Sequence, residues 1–137
     1  MRTSRPLAVA AAAMTVMALV AGCADGGARR DAVSDVAVRL LAAVQDRDGA
    51  AACTVLAPDT VQTLERSAGA SCADAVLDED LPEPAGVRRV DVFGQWARVV
   101  LADDTVFLAA FPGGWRVVAA GCRSRGERPY DCVLQGG

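Results

Sequence analysis

Hydrophobic and polar positions along the chain change period once, and that change divides it. Val33, Val36, Ala37, Leu40, Leu41 and Val44 recur at i, i+3, i+4, i+7, i+8 and i+11, an apolar stripe along one face of a helix with Asp35, Arg39 and Asp46 opposite. The stripe predicts a helix over 32–46, capped by Asp31 and stopped at Asp48-Gly49. Shorter helices are predicted over 50–56, from Pro58 to near Gly69, and over 72–77 behind a Ser71 cap. Residues 78–86, acidic and carrying Pro82 and Pro84, break the pattern. From Val87 onward the period is two, with Val90 and Val92 alternating with Arg89, Asp91 and Phe93. Strands are predicted over 87–93, 96–102, 105–111 and 115–121, with turns at Asp103-Asp104 and Pro112-Gly113-Gly114. Helices first and a closely turned meander afterwards predict an α+β domain, its N-terminal helices packed on a four-stranded antiparallel sheet. The tail, 122–137, is expected to cross the sheet edge.

Ahead of the helical stripe lies a different pattern. Leu7 to Ala21 is an apolar run of 15 residues broken only by Thr15, preceded by Arg2 and Arg5 and closed by Val20-Ala21-Gly22-Cys23. A membrane span takes about 20 apolar residues, so the run is short for one, and small residues before a cysteine suit cleavage. The segment resembles the type II signal-peptidase substrates, the leaders of bacterial lipoproteins; a plain secretory leader and a retained span are the alternatives. The resemblance implies that Cys23 becomes an acylated first residue, holding the protein on the extracytoplasmic face of the cell membrane. A diacylated cysteine supplies the two chains that stable anchoring takes. The division that follows is a signal peptide over 1–22, lipidated Cys23 with a short tether to residue 30, and a single α+β domain over 31–137. Extended, the tether reaches about 25 Å at roughly 3.5 Å per residue.

Removal of residues 1–22 leaves 115 of the 137 residues, enough for one small domain. All 14 basic residues are Arg, and Lys, His, Ile and Asn are absent, the usage of a GC-rich, actinobacterium-like genome. Without Arg2 and Arg5, 12 Arg face 17 acidic residues, a net charge of −5. That balance argues against nucleic-acid binding, which needs a strongly basic face, and against electrostatic adhesion to anionic lipid. With Cys23 given to lipid, Cys53, Cys72, Cys122 and Cys132 remain, an even set that in an exported chain reads as two disulfides. Of the three pairings, Cys53–Cys72 and Cys122–Cys132 are preferred because each closes within one half of the chain.

The candidate chemistry is sparse. Without histidine there is no Ser-His-Asp, Cys-His or His-based metal site. Phosphate-binding glycine loops and C-x-x-C are absent too. Asp78, Glu79, Asp80 and Glu83 lack the ligand spacing of a calcium loop and read as a solvated linker. Asp103 and Asp104 have the composition of an acid–base pair but read as turn residues. No metal, no cofactor and no catalysis are expected. Arg123, Arg125 and Arg128, beside Tyr130 in the loop that Cys122–Cys132 would close, are the best candidate interaction surface, suited to an anionic ligand or a carboxylate-rich partner. The alternative is a solvated loop with Glu127 and Asp131 nearby. Trp96 and Trp115 read as sheet packing. Phe107 and Phe111 share parity; pointing inward they would fill a cavity, so a closed core is expected.

The helix that runs into Gln45-Asp46-Arg47-Asp48-Gly49-Ala50-Ala51, with the late strand Gly113-Gly114-Trp115-Arg116-Val117, resembles the NTF2-like or cystatin-like cone domains over most of 32–121. Ala119-Ala120-Gly121-Cys122 with Arg128-Pro129-Tyr130-Asp131-Cys132 is similar to a group of small actinobacterial lipoproteins without an agreed activity. The resemblance implies fold and location alone. The functional expectation is a lipid-anchored, non-catalytic module that binds another envelope protein or assists a membrane complex. The alternative is a small-ligand binder that uses the open end of the cone as its pocket.

Overall fold

The computed structural model describes residues 21–136, with side chains from residue 25 onward. The leader predicted over 1–22 therefore lies almost wholly outside the described residues. The first element is a long helix, α1 (Ala21–Gln45). Its stripe is buried as predicted: Val33, Ala37, Leu40, Leu41 and Val44 all enter the core, and the helix packs across the sheet. The start of the helix corrects the prediction. Asp31 is not its cap, and residues 24–30 are helical instead of an extended tether. A contact distant in sequence accounts for this, because the Arg29 guanidinium donates to the Gly94 carbonyl and lies 5.7 Å over the Trp115 ring.

Three short helices follow in the predicted places: α2 (Gly49–Thr54), α3 (Pro58–Ala68) and α4 (Cys72–Ala75), the last running into a 3-10 turn over Val76–Asp78. Local chemistry sets their bounds. The Asp48 side chain accepts the Ala51 N–H at 2.9 Å, Pro58 opens α3, and Gly69 closes it at φ +65°. Ser71 caps α4 through the Asp74 N–H. The Cys53–Cys72 disulfide joins α2 to α4, with Cα atoms 6.2 Å apart.

The sheet is antiparallel throughout, in the order β1 (Val87–Phe93), β2 (Trp96–Leu101), β3 (Thr105–Phe111), β4 (Gly114–Arg125) and β5 (Arg128–Gln135). It has five strands where four were expected. The chain does not leave the sheet at Gly121: that residue takes φ +65°, and β4 continues through Cys122 to Arg125. The tail then returns as β5, with Cys122 and Cys132 directly opposite one another and disulfide-bonded. Pro129, which lacks an N–H, is accommodated because β5 is an edge strand. Beside the first half of β4 the partner is a different segment: the Ala57 N–H donates to Val117 O and the Val117 N–H to Val55 O, both at 2.8 Å. The core between α1 and the sheet holds Leu40, Leu41, Val99, Val106, Leu108 and Val117, all fully buried.

Candidate functional site

Alternate residues of a strand point to opposite faces of its sheet. Ala97, Val99 and Leu101 of β2 and Val106 and Leu108 of β3 lie on the face under α1. Trp96, Arg98, Phe107, Ala109 and Phe111 occupy the other, open face. This corrects the closed-core argument at its premise. Phe107 and Phe111 point away from the core, and the residues of the other parity fill it. Trp96, read as sheet packing, is exposed, whereas Trp115 does pack against the core. Five of the six aromatic residues, all but Trp115, stand on the open face.

These side chains make a groove. Trp96 lies opposite Ala109 and therefore diagonal to both Phe107 and Phe111. Ala109, together with Ala119 opposite Phe107, leaves a low floor between the rings. The start of α3 closes the remaining side with Ala57, Asp59 and Thr60. Thr60 is fully buried and donates its hydroxyl to Val118 O at 3.1 Å. Gly136 packs so close to it that a Cβ there would stand 3.0 Å from Thr60 Oγ1. The groove, open to solvent along one side, holds about 460 Å³, with Asp59 its one ionisable lining residue. Small-molecule sites span roughly 300–1,000 Å³ and are mostly apolar with few polar groups.

The wall at Phe107 is braced from two sides. The Tyr130 ring meets it edge-on, centroids 4.9 Å apart. Arg98 lies opposite it on β2 and donates to Asp91 through Nε at 3.2 Å and Nη2 at 2.7 Å. Arg89 adds a bond to the same carboxylate at 2.8 Å. The Arg98 hydrogen bonds, then that of Arg89, hold the Asp91 carboxyl below its ordinary value. Asp91, with the Tyr130 phenol beside it, raises Arg98 in turn.

The sequence-predicted interaction residues lie at the opposite end of β4, and the structure divides them. Arg125 and Arg128 face one another across the β4–β5 turn, while Arg123 lies opposite Asp131. Arg123, Asp80 and Asp131 line a shallow depression of about 340 Å³. All three arginines are exposed, and among the described residues no ion pair includes them. The loop expected between the cysteines is thus a β-hairpin. Asp104 departs further from expectation, since it is buried instead of being a plain turn residue. Its Oδ1 accepts the Cys122 N–H at 2.9 Å, and Oδ2 has no hydrogen-bond partner among the described residues. Burial pushes this carboxyl up, against the opposing pull of the Gly121, Cys122 and Thr105 N–H groups. Cys23 falls in the first turns of α1.

Parity marks two faces without saying which is buried, so the groove was not found from the sequence; a signal was present in the aromatic residues gathered at one parity of adjacent strands. Among the described residues no group of three or more Cys, Asp and Glu is placed to hold a metal ion, and no helix is long and apolar enough to cross a membrane. Compared with protein-family models, with curated proteins and with solved structures, the chain matches none. What the site offers chemically is apolar contact, three π faces, one carboxylate (Asp59) and the Gln135 amide.

Proposed function

We propose that the protein is a lipid-anchored, extracytoplasmic, non-catalytic binding module whose groove on the open sheet face takes a small, largely apolar ligand. The observation that carries this reading is the groove itself: Trp96, Phe107 and Phe111 stand around an alanine floor, and the volume of this open groove falls in the range of small-molecule sites. The location rests on the sequence, on the apolar run that ends in Val20-Ala21-Gly22-Cys23. The NTF2-like or cystatin-like assignment belongs to the same proposal, supported by a long helix laid across an antiparallel meander.

The test is titration with Nile red, a neutral apolar dye, followed by its emission. The native chain is expected to bind it, and Ala109→Leu, which fills the floor and leaves the rings in place, is expected to weaken binding about tenfold or more, the equivalent of 1.4 kcal/mol. Equal affinity of the two proteins removes the groove from the reading. A second reading, contact with an envelope protein, is favoured by the hairpin tip. There Arg125 and Arg128 oppose each other, a like-charge pairing that destabilises a sheet and that an acidic partner would relieve.

A further inference from the structure

α1 begins at the end of the sheet that carries the β1–β2 and β3–β4 turns. Arg29 fixes this, since it donates to Gly94 in the first turn and lies over Trp115 just after the second. Cys23 is six residues upstream of Arg29 in the same helix, about 9 Å along its axis at 1.5 Å per residue. Around these two turns the surface is aromatic. Phe93 is 62% exposed, Trp96 61% and Phe111 36%. Phe93 and Trp96 are cross-strand partners, and Phe111 lies diagonal to Trp96 on the same face. Charge at this end is balanced, with Arg29, Arg30 and Arg116 set against Asp25, Asp31 and Asp59.

We propose that this end of the domain docks on the lipid bilayer, with Phe93, Trp96 and Phe111 seated at the boundary between headgroups and acyl chains. The proposal rests on the lipid-anchor reading and adds the orientation of the domain. An acyl group on Cys23 holds the two turns about 9 Å along the helix from the anchored residue. A tilt of α1 off the bilayer normal brings them within the headgroup layer, which takes up roughly 5–8 Å on each side of the bilayer. Exposed aromatic rings at that depth leave water for the region where Trp is enriched in membrane proteins. Because the local charges balance, the dock depends on aromatic contact and is indifferent to anionic lipid. The helical form of residues 24–30 holds this geometry, where an extended tether would let the domain tumble.

The experiment uses the full-length chain, produced in a bacterium that processes lipoproteins and reconstituted into phosphatidylcholine vesicles brominated on the upper acyl chain. Native protein and Trp96→Phe are compared, so that the Trp96 emission is obtained by difference from that of Trp115. The expected result is a blue shift of the Trp96 component and loss of most of its intensity, both diminished by Phe93→Ser. Trp96 emission left unquenched, on a chain whose Cys23 peptide carries the diacylglyceryl mass, overturns the dock and leaves the anchor standing. An unacylated Cys23 peptide removes the anchor reading, and the dock falls with it. A blue shift that grows with protein concentration in the absence of lipid assigns the surface to a second copy of the chain and also overturns the proposal.

Discussion

Asp104 shows how far one side chain can depart from its place in a sequence. An Asp-Asp pair between two strands is the ordinary material of a turn, and nothing local marks one of the two carboxylates as buried. The burial comes from Gly121, whose left-handed backbone carries β4 on so that the Cys122 N–H, 18 residues away, points at Oδ1. Asp104→Ala leaves that buried N–H without its acceptor and is expected to cost about 1–3 kcal/mol, read from the urea midpoint. Asp104→Asn keeps an acceptor oxygen and removes the charge. The sign of its pH effect follows from the carboxyl's raised folded-state value. Stability contributed by this group is fully present below the ordinary carboxylate value and is lost as pH rises through the raised one. Asp91, held low by Arg98 and Arg89, acts in the opposite sense, its contribution present above the ordinary value and lost as pH falls through the lowered one. Asp104→Asn should therefore flatten the decline of stability with rising pH just above the ordinary carboxylate value. Urea midpoints measured across that window check it, and an unchanged slope refutes the assignment.

At the scale of elements, the sequence was informative wherever local chemistry alone decides. The predicted bounds of β1 and β3 hold, and Asp48, Pro58, Gly69 and Ser71 place the short helices through caps that need no tertiary partner. Both disulfides pair as the spacing suggested. Two elements escaped because distant contacts make them. The Ala-Asp-Gly-Gly-Ala-Arg-Arg segment has two glycines and no apolar stripe, so its helical form depends on the contacts of Arg29 with Gly94 and Trp115. β5 carries Pro129 and Asp131, poor strand formers that an edge position tolerates. The groove was half legible, since alternation grouped Phe107 with Phe111 and left the buried side unnamed. The clearest energetic prediction at this scale concerns the bond between α2 and α4, which encloses a span of 19 residues. Replacing Cys53 and Cys72 together by Ser should cost about 3 kcal/mol in the chain-entropy account. Denaturant unfolding of the double variant measures it, and a loss below about 1 kcal/mol would show that the helices hold without the bridge.

Across the whole molecule, the two ends of the sheet differ in kind. One end gathers the start of α1 and the exposed rings of Phe93, Trp96 and Phe111; the other bears the β4–β5 hairpin with Arg125 and Arg128 beside its turn. β4 joins them over 12 residues, about 35 Å at roughly 3.3 Å per residue. That length decides what the arginines can reach. Charges are screened beyond about 8 Å at physiological ionic strength, so with the aromatic end docked as proposed, a hairpin standing this far from it would feel no attraction to an anionic bilayer. Its guanidiniums are available instead to a partner approaching from the far side, and an acidic surface would relieve the opposition of Arg125 and Arg128. Changing Arg123, Arg125 and Arg128 together to Ser therefore has separable consequences. Membrane association, measured by flotation with vesicles of neutral or anionic lipid, should be unchanged. The denaturation midpoint should stay the same or rise slightly, since no ion pair among the described residues uses these side chains and the opposition of Arg125 and Arg128 is removed. In-cell crosslinking of native protein, followed by mass spectrometry, should recover one stoichiometric envelope partner that the triple variant loses. A variant that keeps its partner rules out the hairpin as the contact surface, and one that leaves the membrane shows that the arginines face the bilayer and that the molecule stands the other way up.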